Sequence, residues 1–265
     1  MPSMRALIMK RGLIAVLFLL FPIIAVAESF NIVADDDFPP YSYIDSDKKV
    51  KGIDVDLLHE MAKRLGIEVN IKLVPWKRLL LMTQKGDIFG AFSLFKTPTR
   101  ESFAHFTYPV HYSTFVLFTT KGNDIKFESV NDLYGKRIGL QAGFAISPEF
   151  DAARKRGDIH VVEFYNHGQS FRRLLKGGVD AFVGNKLVVE YKLNEKFNTK
   201  PLSAGNLSDI ISLPKPVKKS RGAFFVISKK FPIKDSLAWK TKITDTLQSM
   251  EQEGVTEQII QKYMN

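Results

Sequence analysis

The sequence predicts an α/β fold in which one block of alternating strands and helices is inserted into another. Two observations carry this reading. Short apolar runs rich in β-branched and aromatic residues alternate with segments of helical periodicity along the chain, the pattern of α/β units with a mostly parallel sheet. Two longer β-rich runs, residues 112–120 and 222–228, bracket the middle of the chain. A first domain made from both chain ends is then crossed twice, and the two crossings form a hinge.

Residues 30–34 read as the first strand. The helix that follows spans 54–65, with Asp54 as N-cap, Leu57, Leu58, Met61, Ala62 and Leu65 on one face, and Gly66 as the stop. A strand over 69–74, a helix over 76–83 and a strand over 86–93 continue the alternation. Beyond the 112–120 run, Asn131, Asp132 and Leu133 open a short helix, and 137–141, 161–164 and 181–183 read as strands. The 222–228 run leads into helices over 238–250 and 255–263, interrupted at Gly254. No internal repeat or low-complexity segment is visible.

The chain has 265 residues, of which 45% are hydrophobic, which is enough to build a core and argues against disorder. Arg5, Lys10 and Arg11, the apolar stretch 12–24 and Ala25-Val26-Ala27 have the form of a cleavable export leader, so the mature chain is expected to begin near Glu28. There are no cysteines, which leaves no disulfide, no thiolate nucleophile and no lipid-attachment site. A soluble periplasmic protein fits these features. The formal charge of +10 raises the question of nucleic acid, but the basic residues are scattered and export argues against it. The densest basic cluster, 215–221, reads as a solvated connecting segment, or alternatively as a rim that attracts anions.

Common chemistries are poorly supported. The triplet Asp35-Asp36-Asp37 and nearby Asp45 and Asp47 lack the spacing of a calcium loop. His59 and Glu60 lack the second histidine of a zinc-protease helix, and the other histidines read as surface or packed residues. There is no nucleophile elbow and no phosphate-binding loop. No metal or cofactor is expected. The informative stretch is 35–58, where a strand ends in carboxylates and runs into an aromatic-proline loop, as the wall of a small-molecule pocket would. Thr97-Pro98-Thr99-Arg100 is a proline-punctuated turn suited to aiming an arginine into a cleft, where its guanidinium can grip a carboxylate with two hydrogen bonds. Phe38 and Trp76 lie near the C-terminal ends of strands, where α/β sheets bind ligands.

Together these pieces resemble the bacterial extracellular solute-binding proteins of family 3, the polar-amino-acid-binding partners of ABC importers. The resemblance rests on Asp35-x-x-Phe38-Pro39-Pro40-Tyr41, Gly52-Ile53-Asp54-Val55-Asp56-Leu57, Trp76, Thr97-Pro98-Thr99-Arg100, Asp132-Leu133-x-Gly135-Lys136, Gly178-Val179-Asp180-Ala181 and the closing helices. It implies two α/β lobes of the type II periplasmic-binding-protein fold, joined by a two-stranded hinge, with ligand in the cleft. The expected division is a leader over 1–27, a first lobe from 28–118 plus 222–265, and an inserted second lobe over 119–221.

The resemblance also implies roles. Arg100 holds a ligand carboxylate, Phe38 and Trp76 sandwich the ligand body, and Asp35 meets its distal end. Tyr41, Ser93 and Gly143 line the same cleft. Two departures lie in the second lobe: Phe144 and Ala145 follow Gly143 where small hydroxyl residues are usual, and Asn185 stands where an aspartate usually holds the ligand amino group. An amide cannot supply the charge an ammonium prefers, and a phenylalanine adds apolar surface. The expectation is therefore a monomeric, non-enzymatic binder of a small carboxylate-bearing, amino-acid-like or aromatic solute. Arg100 is its anchor, with Phe38, Trp76 and Phe144 on the body and Asp35, Ser93 and Asn185 as polar contacts. An inner-membrane permease or a sensor is the implied partner. A periplasmic dehydratase of the prephenate/arogenate type is the alternative.

Overall fold

The computed structural model describes residues 28–194 and 205–264, so the expected leader lies outside the described residues. The first half runs β1 (Ser29–Asp35), β2 (Asp37–Phe38), β3 (Ser42–Ile44), β4 (Val50–Lys51), α1 (Ile53–Leu65), β5 (Glu68–Val74), α2 (Trp76–Lys85), β6 (Gly90–Phe95), α3 (Pro98–Glu101) and β7 (Ala104–Thr120). The second half runs through a 3-10 turn (Val130–Leu133), β8 (Arg137–Gln141), α4 (Pro148–Arg156), β9 (His160–Phe164), α5 (His167–Leu175), β10 (Ala181–Asn185), α6 (Lys186–Leu193), β11 (Ile210–Ser212), β12 (Lys218–Ser228), α7 (Ser236–Gln252) and α8 (Val255–Met264).

Among the described residues the strands form a nine-stranded sheet in the order β5-β1-β6-β12-β7-β10-β8-β9, with β11 also on β7, and a small β2-β3-β4 sheet. β1 is parallel to β5 and β6, and β8 is parallel to β9 and β10. The sheet is less parallel than the alternation of elements predicts, because β12 is antiparallel to β6 and β7, and β7 is antiparallel to β10 and β11. The two long strands are the cause. β7 has 17 residues: its first part pairs with β12, and its last part pairs with β10 and β11. Together β7 and β12 connect the two lobes, and their ladder is irregular between Lys218 and Arg221 and again around Phe224.

Local chemistry explains most boundaries. α1 begins at Ile53, so Asp54 is not its N-cap: Gly52 precedes the helix at φ 135°, and Asp54 is a buried residue of the first turn. A side chain at residue 52 is excluded, since its Cβ would lie 2.0 Å from the Tyr41 carbonyl oxygen. The strand expected from residue 86 starts at Gly90, because Gly86 instead closes α2. Thr97 caps α3 by accepting from the Arg100 N–H, and Pro98 supplies a preset φ at the first helical position. That single turn fixes where Arg100 leaves the backbone.

An apolar cluster runs from Phe30 and Phe89 through Phe92, Phe95 and Phe115 to Phe144, Leu140 and Phe150, so packing continues from one lobe into the other. A second cluster gathers Phe118 of β7, Phe164 of β9, Phe171 of α5 and Phe182 of β10. α8 docks on α1 through Asp56, which accepts from Lys262 at 2.7 Å and from Tyr263 at 2.9 Å.

Candidate functional site

The C-terminal end of β1 delivers Asp35 to the cleft floor, where it is 3% exposed. Its Oδ1 accepts from the Asp37 N–H at 3.2 Å, and its Oδ2 faces Gln141 Nε2 of β8 at 3.4 Å. Burial, only partly offset by the backbone hydrogen bond, pushes the Asp35 carboxyl up to about 7. The Gln141 amide oxygen is buried without a protein partner among the described residues. A protonated Asp35 supplies the hydrogen that this oxygen lacks, once the amide is turned.

Asp37 does not point at a ligand position. Its carboxylate receives the His167 backbone N–H at 2.9 Å, His167 Nδ1 at 3.0 Å and the Lys192 ammonium. Burial opposes its charge, but hydrogen bonds and charge from His167 and Lys192 prevail and hold the carboxyl well below the usual range. His167 was read from sequence as an ordinary packed or surface residue. It is buried, and it bridges the lobes from the first turn of α5.

The aromatic side chains form two sets, and no ring contact among the described residues joins Phe38 to Trp76. Phe38 stacks on Tyr41 with centroids 5.1 Å apart, and Tyr41 stacks on His111 at 3.9 Å. The Pro39-Pro40 peptide between them is cis. Trp76, at the start of α2, meets Phe144 edge-on at 5.4 Å, and Phe144 also meets Phe115 at 6.2 Å. The Trp76 indole N–H is buried without a protein acceptor among the described residues. Gly143 takes φ 83°, and a Cβ there would lie 3.2 Å from Leu80 and 3.4 Å from Trp76. The loop 143–146 therefore approaches Trp76 as closely as a glycine permits.

Arg100 is 5% exposed. Nη1 donates to the Phe95 carbonyl at 2.8 Å and Nη2 to the Gly143 carbonyl at 3.1 Å, while the guanidinium lies 5.2 Å from the Trp76 ring centroid. Among the described residues no carboxylate forms an ion pair with it, and burial, helped by nearby Arg221, lowers it to about 9. Arg221, from the cluster read as a connecting segment, is itself half-buried at the hinge. It donates to the Ala145 carbonyl, to Ile146 O at 2.8 Å and to Lys96 O at 3.2 Å.

Ser93 and Asn185 are engaged by other protein groups. Ser93, at φ 60°, bonds Asp54 at 2.5 Å and His111 at 2.8 Å. Asn185 caps α6 through Oδ1 and donates to Ser113 at 2.8 Å. Burial drives His111 down to about 3, and drives Asp54 up to about 7 against its Ser93 hydrogen bond. The Tyr41 hydroxyl is likewise raised to about 12 by burial, partly offset by Ser113. Sequence reasoning missed Asp54, His111, Gln141 and Arg221; apart from the His111–Ser113 contact their partners are distant in sequence, and only Asp54 lies in a motif. Among the described residues no group of three or more His, Asp and Glu side chains converges on a metal position, and no helix is long and apolar enough to cross a membrane.

Comparison with known proteins bears on the family and the fold. The putative ABC transporter arginine-binding protein 2 of Escherichia coli K12 is 28% identical over 191 residues, 68% of this chain and 73% of that protein. An ancestral arginine-binding protein bound to arginine superposes with a TM-score of 0.75 at 23% identity, covering 89% of this chain and 98% of the other. A histidine kinase sensor domain with similarity to periplasmic binding proteins gives 0.76 at 19% identity, covering 90% and 97%. The family described as bacterial extracellular solute-binding proteins, family 3, matches residues 30–265. The chain is a two-lobe solute-binding protein and belongs to that family.

Proposed function

We propose that this protein captures a small carboxylate-bearing solute between its lobes, with Arg100 as the anion anchor. The observation that carries the reading is the buried Arg100 guanidinium. It is paired with backbone carbonyls rather than with an acid among the described residues. Asp151 acts on this buried cation only from a distance, without an ion pair, and a ligand carboxylate exchanging with the Gly143 carbonyl relieves the cost of burying it. Trp76, Phe38 and Phe144 supply the apolar walls, and the unpaired Trp76 N–H supplies a donor. Asp35 and Gln141 form the polar far end. Ser93 and Asn185 serve this site by shaping it, since their polar atoms are held by Asp54, His111, Val188 and Ser113.

The hinge lies where β7 and β12 cross, close to the proposed division of 28–118 with 222–265 from 119–221. We read the protein as an exported, monomeric binder without catalytic activity that serves an inner-membrane permease or a sensor. Titration calorimetry with L-arginine, L-histidine, L-cystine, dicarboxylates and aromatic acids tests this. Arg100→Ala should weaken any carboxylate that binds by at least about 100-fold, near 2.7 kcal/mol. Unchanged affinity rejects the anchor.

One observation favours a dehydratase as a second reading: Asp35 is a buried carboxyl raised to about 7, so that it can hold and release a proton near neutral pH as a general acid must. Turnover of prephenate or arogenate to an aromatic product, lost in Asp35→Asn, would select that reading over simple binding.

A further inference from the structure

Six buried polar residues lie end to end beneath the cleft. Ser93 Oγ is 2.5 Å from Asp54 Oδ2 and 2.8 Å from His111 Nε2. The other ring nitrogen, Nδ1, is 3.5 Å from Ser113 Oγ. Asn185 Nδ2 is 2.8 Å from the same hydroxyl, and the Tyr41 hydroxyl bonds there too. Asp54 and Ser93 belong to the first lobe and Asn185 to the second. The chain passes between them at Tyr112, since His111 pairs with Ala223, itself next to Phe95 of β6, while Phe115 pairs with Asn185.

The direction of the hydrogen bonds can be worked out from the far end. Asn185 Oδ1 accepts from the Val188 N–H at the head of α6, so Nδ2 faces Ser113 and can only donate. At the other end Ser93 Oγ gives its one hydrogen to Asp54 Oδ2, so toward His111 it can only accept, and Nε2 carries the imidazole hydrogen. The imidazole, neutral in this dry setting, then presents a bare Nδ1 that accepts from Ser113. The remaining Asp54 oxygen lies 3.6 Å from His111 Nε2, on the side where a hydrogen is favourable.

We propose that Asp54, His111 and Ser113 are positioning residues: a hinge-crossing hydrogen-bond chain of one polarity, running from Asn185 to the Asp54 carboxyl, that holds Tyr41 and Ser93 in place. Asn185 sets that polarity from the second lobe. Its amide is required because the chain already ends on a carboxylate; a second acid at residue 185 would pull the Ser113 proton the other way. The chain also accounts for Ser93 resting at φ 60°, a conformation a non-glycine residue keeps only when its surroundings hold it there.

The test needs no ligand, so it stands or falls separately from the proposed function. Nitrogen-15 NMR of the ligand-free protein at pH 8 reads the tautomer of His111, assigned by its loss in His111→Phe. The expected result is hydrogen on Nε2 and none on Nδ1. Asn185→Asp keeps a capping side chain on α6, and should move the hydrogen to Nδ1 as Ser113 turns to the new carboxylate. Hydrogen on Nδ1 in the parent, or an unchanged tautomer in Asn185→Asp, overturns the proposal. If Asn185→Asp does not fold, Ser113→Ala decides: losing the donor should shift the Nδ1 resonance toward that of an unbonded nitrogen, and no shift counts against the chain.

Discussion

Asp37 and His167 meet across the cleft at 3.0 Å, and the same carboxylate oxygen accepts the His167 backbone N–H at 2.9 Å. With the Lys192 ammonium on the other oxygen, this acid of the first lobe is held by two helices of the second. The contact closes the lobes with protein groups alone.

Asp37→Ala should therefore favour the open form. Without ligand, the radius of gyration from small-angle scattering should rise, and affinity for whichever carboxylate binds the parent should fall about tenfold, near 1.4 kcal/mol. The Asp37 carboxyl is depressed, so its contribution is present above the ordinary aspartate range and is lost only as pH falls through its lowered value. The contact should survive mild acid, and an unchanged scattering profile in the variant would show that it does not govern closure.

Asp35 behaves in the opposite sense. Its folded-state value, about 7, lies above the ordinary 3.8. Its favourable contribution is complete below pH 3.8 and is lost as pH rises through 7, where the site must hold a buried charge. Asp35→Asn removes that charge, and its amide can pair with Gln141. The variant should melt above the parent at pH 8, by an amount worth roughly 2–4 kcal/mol, with a much smaller gap at pH 5. Thermal melts at the two pH values check this; equal gaps reject an ionised Asp35 as the source.

Gly143→Ala places a methyl against Leu80 and Trp76 at a positive φ. The positive φ costs about 1–2 kcal/mol in open and closed forms alike, whereas the contact with Leu80 and Trp76 falls on the closed form. The urea midpoint should fall by that amount, and affinity should drop by about tenfold in addition. A full-affinity variant would mean that the loop can retreat from Trp76.

Phe89 is fully buried and contacts Phe30 at 4.1 Å, Phe231 at 5.7 Å and Trp239 at 5.7 Å. Phe89→Ala should cost about 3–5 kcal/mol, read as a lower urea midpoint with Trp239 fluorescence as reporter. A loss below 1 kcal/mol would mean that the core refills the space.

The alternation of elements, the two bracketing β-rich runs and the 35–58 segment were enough to indicate an α/β fold of two lobes and a family. Periodicity and turn chemistry are local, and neighbouring residues carry them. The same locality explains the errors. Asp54 looks like an N-cap because it precedes an apolar helical face, but the Gly52 turn against the Tyr41 carbonyl starts the helix one residue earlier. The mostly parallel sheet gave way to a mixed one because β7 and β12 run antiparallel through both lobes, a property of chain return that no window of residues contains.

The sequence by itself determined that Asp35, Phe38, Trp76, Arg100 and Phe144 stand at strand ends and turns, where a ligand-binding residue is expected. Only the tertiary structure decided how they are used. It turned Asp37 into a clasp on His167, gave Arg100 carbonyls in place of an acid, and bound Ser93 and Asn185 into a chain with Asp54, His111 and Ser113. The physical reason is that burial and hydrogen-bond pairing depend on what the fold brings from afar, here across separations of up to 155 residues. Those two quantities set the charge and the direction of every polar group in the site.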